Sequence, residues 1–91
     1  MKTMFPLGQL RITNGAFALL ERLGISAEGF VQRHVLGDWG DVTDGDKQSN
    51  ELAVEMGGRI LSAYNLPEGT KIWVTTEPDR TATTILLPGE S

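Results

Sequence analysis

"RILSAYNLPEGTKIWVTTEPDRTATTILL", residues 59–87, decides how this chain folds. Three runs within it, "RILSAYN", "KIWVTT" and "TATTILL", are rich in β-branched and aromatic residues and repeat with period two, which puts alternate side chains on one face of a strand. Between them stand "LPEGT" and "EPDR", each a proline followed by turn formers, so the runs read as a three-stranded antiparallel meander joined by short reversals. In the middle run Ile72 and Val74 share one side, and Lys71, Trp73 and Thr75 the other. With the aliphatic pair facing the helices, Trp73 lies on the open sheet face, either covered by the N-terminal "MFPL" or exposed as an interface anchor.

Upstream of residue 59 the period is helical, apart from "LGQLRI", which alternates Leu10 and Ile12 against Gln9 and Arg11 and reads as a short first strand. Thr13 is placed to cap the helix that follows, where Ala16, Phe17, Leu19, Leu20 and Leu23 form one stripe and Gly24 marks the stop. Ser26 caps a second helix carrying Ala27, Phe30, Val31 and His34 at the i, i+3, i+4, i+7 spacing, with Gly37 ending it. A third starts at Thr43 or Asp44. Thr43 with Asp46 three residues on is a variant capping box, the aspartates meet the positive end of the helix dipole, and a thin stripe through Leu52, Ala53 and Met56 runs to the closing Gly57 and Gly58. The expected fold is therefore a single α+β domain over residues 1–91: a short N-terminal strand, two to three short helices, then the three-stranded meander with helices packed on one face.

A chain of 91 residues buries only about two-thirds of its unfolded surface, so its apolar side chains must share one core. Cysteine is absent, which removes disulfides, zinc-thiolate sites and thiol nucleophiles and fits a reducing compartment. The N-terminus has no apolar stretch suited to a secretion signal, and the cytoplasm is the expected location. The net charge is −4 and uneven, with six acidic residues against one basic in residues 36–57. Without a cluster of Lys and Arg there is no cationic footprint for nucleic acid, so direct nucleic-acid binding is not expected and a basic protein surface is the better partner.

The acidity centres on "RHVLGDWGDVTDGD", residues 33–46, which holds the one histidine and four aspartates. As a calcium loop it fails in both frames: starting at Asp44 places Ser49 where glycine must turn, and starting at Gly40 puts Gly40 and Val42 at ligand positions. His34 and Asp38 would stand one turn apart on a continuous helix, but Gly37 interrupts it, so neither a metal nor a cofactor is expected. His34 reads as a structural histidine that bonds a carbonyl or Asp38, and Trp39, between two glycines, as a plug at the core's edge before a partner contact. For catalysis, His34, Glu77 and Arg80, with Lys71 nearby in sequence, are the right kinds of group for a metal-independent ribonuclease, although "EPDR" is also explained as a type I turn with an exposed ion pair. No glycine-rich phosphate loop, GxSxG elbow, HExxH or dinucleotide fingerprint is present.

Taken together, "MFPLGQLRITNGA", "RHVLGDWGDV" and "RILSAYNLPEGTKIWVTTEPDRTATTILLP" resemble a family of small uncharacterised bacterial proteins from plasmids, integrative elements and prophages, some labelled "plasmid-related protein". The resemblance runs from Met4 nearly to the end, makes Met4 an alternative start, and transfers no catalytic role. Labels tying some relatives to restriction-modification methyltransferases do not carry over, because this chain has no glycine-rich cofactor strand and no Asn-Pro-Pro-aromatic motif. What the resemblance implies is a protein of mobile elements that occupies a host or rival protein, as inhibitors of bacterial defence do. Three readings follow. The first is a non-catalytic binding module using Asp38, Asp41, Asp44 and Asp46, with Trp39 and Trp73, against a basic protein surface. The second is a ribonuclease or toxin-like enzyme built on His34, Glu77 and Arg80. The third is a self-associating protein, a homodimer joined through the open sheet face.

Overall fold

The computed structural model describes residues 2–90. The order of elements is β1 (Gln9–Ile12), α1 (Asn14–Leu23), α2 (Glu28–Val35), α3 (Asp44–Met56), β2 (Ile60–Asn65), a single 3-10 turn (Pro67–Gly69), β3 (Lys71–Thr76) and β4 (Ala82–Leu86). The caps follow from local chemistry. Thr13 accepts a hydrogen bond from the Ala16 amide at 3.2 Å and Thr43 from the Asp46 amide at 3.1 Å, while Gly24 ends α1 in the left-handed region at φ 68°. Ser26 does the same one position earlier than a regular cap, accepting from the Glu28 amide at 3.3 Å.

The class is α+β, but the sheet has four strands and is mixed. Strands β2, β3 and β4 form the antiparallel meander, and β1 joins it parallel to β4, giving the order β1-β4-β3-β2. The antiparallel meander stands as expected; the correction is that the N-terminal strand joins it in parallel, which makes one four-stranded mixed sheet. Some seventy residues separate β1 from β4, so their pairing is set by tertiary register and not by any turn signal between them.

One face of the sheet carries the helices. Ile60, Ser62 and Tyr64 of β2, Ile72, Val74 and Thr76 of β3, and Thr83 and Ile85 of β4 all point to it and are buried. Tyr64, Ile72, Val74 and Ile85 pack with Ala16, Leu20 and Val31 of the first two helices. A second cluster joins Ile60 to Phe5, Val35, Trp39 and Ala53.

Two helical stripes differ from the periodic reading. Phe17 is 54% exposed because β1, lying at the sheet's edge, leaves nothing over it. In α3 the buried residues are Asn50 and Ala53, which turns Leu52 and Met56 outward at 60% and 75% exposure. The cause is Asn50. Its side-chain amide donates to the Leu61 carbonyl (2.7 Å) and accepts from the Leu61 amide (3.0 Å), so the helix is rotated to bring a polar residue against β2. A gain of two bonds to otherwise open backbone groups outweighs burying two exposed apolar side chains in part, since an unpaired buried peptide group costs about 1–3 kcal/mol. The N-terminal segment also lies on the helix side, where the Met4 amide donates to the Val35 carbonyl and Phe5 is buried. "MFPL" therefore does not cover Trp73.

Candidate functional site

The aspartate-rich connector between α2 and α3 closes the outer edge of β2. Residues Leu61, Ala63 and Asn65 present their backbone groups outward there, and each is met. Asn50 takes Leu61. At Ala63 the amide donates to the Trp39 carbonyl (3.1 Å) and the carbonyl accepts from the Asp41 amide (2.6 Å), forming a parallel bridge around Gly40. The Asp41 carboxylate then accepts from the Asn65 amide at 3.0 Å. Asp38 fixes the approach: its carboxylate takes Arg33 in a two-pronged pair (2.7 and 3.4 Å) and the Gly40 amide, and its carbonyl accepts from the Tyr64 hydroxyl at 2.7 Å. The bond from Arg33 holds the Asp38 carboxyl below the usual carboxylate range. Burial pushes the Tyr64 phenol up to about 12, so it remains a donor throughout the neutral range.

His34 is fully buried and belongs to a chain of side-chain bonds whose direction is set at its end. The Thr83 hydroxyl donates to the Leu7 carbonyl (2.7 Å), so it must accept from Thr76 (2.7 Å), which in turn accepts from His34 Nε2 (2.9 Å). The imidazole thus carries its proton on Nε2, and Nδ1 accepts from the Ser62 hydroxyl at 2.6 Å. Burial lowers the His34 pKa from 6.5 to about 4, so the neutral ring that the network needs is the one present at neutral pH. Phe5 meets the imidazole edge-on with centroids 5.2 Å apart, and Trp39 closes the other side at 6.0 Å. The expected partner of His34, a carbonyl or Asp38, is replaced by two hydroxyls on the sheet. A Ser–His pair at this distance has the outline of an activated nucleophile, but both members are fully buried, and Ser62 has no surface open to solvent.

Arg80 is equally occupied. Its Nη1 donates to the carbonyls of Gly58 (2.6 Å), Glu77 (3.1 Å) and Pro78 (3.4 Å), and Nη2 to that of Ala53 (2.8 Å), with the guanidinium over the Phe5 ring. Because the guanidinium is spent on these carbonyls, the 77–80 reversal carries no exposed ion pair of the kind expected of it; the backbone at Arg80 is left-handed, φ 61°. Arg80 ties the β3–β4 turn to the carbonyl end of α3, where a cation also meets the negative end of the helix dipole. Glu77 is half-buried, and its backbone carbonyl is the part Arg80 uses. His34, Glu77 and Arg80 thus surround no open cleft. Arg80→Met, which keeps the stem and deletes the donors, is expected to lower the unfolding free energy by about 2 kcal/mol in a urea titration.

The residues expected to meet a partner divide into those the fold uses and those it leaves at the surface. Trp39, 3% exposed, is a core residue stacked on Phe5 and is unavailable to a partner. Asp38 and Asp41 spend their carboxylates on Arg33 and Asn65. Asp44 and Asp46 remain exposed on the first turn of α3, and the same helix displays Glu51, Glu55, Leu52 and Met56. Trp73 lies on the helix-free face between Ala63 and Leu86, both buried, and is itself half-buried. Periodicity did not reveal the α3 surface; the polar Asn50 one turn before Ala53 and Val54 is the signal that would have turned the helix correctly. Among the described residues no three His, Asp or Glu side chains converge to hold a cation, every buried polar side-chain atom has a partner, and no helix is long and apolar enough to cross a membrane. Neither a family model, nor a curated protein, nor a solved structure matches this chain.

Proposed function

We propose that the protein is a non-catalytic binding module that docks α3 onto a protein partner with a basic, partly apolar surface. The observation that carries this reading is the pairing on one helix of two highly exposed apolar side chains, Leu52 and Met56, with the acidic residues Asp44, Asp46, Glu51 and Glu55. Exposed apolar side chains flanked by charge are what an interface offers before it is covered, the apolar pair supplying the central contact and the carboxylates the orientation and speed of encounter. Support also comes from the other side of the ledger: the groups suited to chemistry, His34 and Arg80, are committed to holding the fold. The resemblance to plasmid and prophage proteins favours a host or rival protein as the target, including one of bacterial defence. The test is affinity capture from the native host at two salt concentrations with the wild type and a Glu51→Lys, Leu52→Ser, Glu55→Lys variant. A stoichiometric basic partner lost by the variant, whose thermal unfolding is unchanged, is the expected result. Equal retention by both proteins, or the absence of any stoichiometric partner, would reject α3 as the docking element.

A further inference from the structure

The two edges of the sheet are treated oppositely. Along β2 the outward backbone groups of Leu61, Ala63 and Asn65 are all engaged, as described above. Along β1 they are not. The amides of Gln9 and Thr13 bond inward to the Thr81 and Ile85 carbonyls, each at 2.9 Å, so strand alternation turns the peptide groups of Leu10 and Ile12 away from β4. No described residue takes them. The side chains beside this row are apolar and open: Leu10 and Phe17 are each 54% exposed and Ile12 39%, and with Ala27 and Ile85 they line a groove of about 290 Å³. An unpaired edge flanked by apolar side chains is a template for another strand, and folded proteins ordinarily blunt it with a very short strand, a charge, proline, a bulge or a covering segment. The four-residue "QLRI" of β1 is short and carries one charge, Arg11, but has no proline, bulge or covering segment among the described residues.

We propose that a second copy of this chain occupies this edge, with the two β1 strands antiparallel about a two-fold axis centred on Leu10. Charge selects this occupant and this register. The acidic connector and α3 lie at the β2 side of the sheet, so two copies of a protein of net charge −4 can approach with least repulsion through β1, whose one charged residue is Arg11. With Leu10 opposite Leu10, Arg11 of each copy stands across from Gln9 of the other. That remakes between copies the Arg11–Gln9 bond seen within the strand at 3.2 Å. The neighbouring register would set Arg11 against Arg11, a like-charge pair that antiparallel strands disfavour. On the helix side the centred register lines up Leu10 and Ile12 of both copies between the two Phe17 rings, and the two sheets become one. This surface is separate from α3, so it stands or falls independently of the proposed binding function.

The test uses the purified chain alone. Since it contains no cysteine, a Leu10→Cys variant reports directly on the axis: paired residues that exchange both backbone bonds stand about 5.5 Å apart between Cα atoms, within disulfide reach. Oxidised dimer is expected to form at least about tenfold faster than for the equally exposed control Leu52→Cys on α3. Light scattering on the wild type is expected to move from one copy to two between micromolar and millimolar concentration, with the Leu10 and Ile12 amides exchanging more slowly over the same range. Leu10→Lys, at an exposed site, is expected to stay a monomer with unchanged thermal unfolding. A wild type that remains a single copy at millimolar concentration, or Leu10→Cys crosslinking no faster than the control, overturns the proposal. So does slowing of the β1 amides only after a foreign strand-forming peptide is added.

Discussion

Gly40→Ala is expected to cost about 4 kcal/mol of stability, enough to unfold much of the population of a domain this size at moderate temperature. Three penalties coincide there. The residue sits at φ 74°, where a side chain is strained by about 1 kcal/mol. An added Cβ would stand 2.6 and 2.8 Å from Tyr64 Cδ1 and Cε1 and closer still to the Ala63 carbonyl oxygen, so backbone as well as ring must shift. That shift would open the bridge through which the connector covers β2, releasing the Trp39 and Asp41 bonds to Ala63. Two other glycines provide the contrast. Gly29 and Gly45 lie in helices, without positive φ and with no close neighbour for a Cβ, so alanine at either should stabilise by about 0.5–1 kcal/mol. Urea titration of the three variants checks the prediction; a Gly40→Ala protein within 1 kcal/mol of wild type would mean that the connector does not rest on β2 as described.

The second large effect is with pH. In the unfolded chain His34 takes up a proton near 6.5, whereas in the fold it stays neutral until about 4. Between those values the unfolded state binds more protons, so stability is full above pH 6.5 and is lost as pH falls, by roughly 3 kcal/mol at pH 4. The cause is burial of the imidazole away from water, and the one-way chain of bonds offers a second proton no acceptor. A proton on Nδ1 must face the Ser62 oxygen, and the Ser62 hydroxyl then loses its acceptor. The Asp38 carboxyl, held below its ordinary 3.8, contributes stability present above that value and lost only below it, so the two windows are distinct. Denaturant titrations from pH 8 to 4 measure the decline due to His34, and NMR titration of the imidazole measures its pKa in the fold. His34→Gln is expected to be less stable at pH 7 but to lack the decline between 6.5 and 4. An imidazole that titrates near 6.5 in the folded protein would refute the buried, neutral assignment.

Local signals in the sequence proved readable to different depths. Caps at Thr13 and Thr43, the stop at Gly24 and the meander from Ile60 to Leu86 depend on residues a few positions apart, and those features are where the periodicity places them. The parallel pairing of β1 with β4 depends on contacts between distant segments and has no counterpart in local pattern. The same holds for the site. That Asp44 and Asp46 cap a helix in the open is legible from Thr43 onward, whereas the tasks of Asp38 and Asp41 are set by Arg33, Gly40 and Asn65, which only the folded sheet brings to them. His34 was legible as buried by its place on an apolar stripe, but its hydroxyl partners come from β2 and β3, and only Thr83 on β4, bonded to Leu7, reveals the direction of its proton. Asn50 misled the helical stripe because a polar side chain that imitates a peptide group packs inward like an apolar one.

The sealed margin at β2 also limits how far this protein can polymerise. A sheet that could accept strands on both sides would add copies without end and grow into fibres. Here the connector and Asn50 occupy one side permanently, so any lateral growth uses up the remaining margin in its first step and then stops. Loosening that seal, as Gly40→Ala would, should therefore appear first as turbidity in concentrated samples.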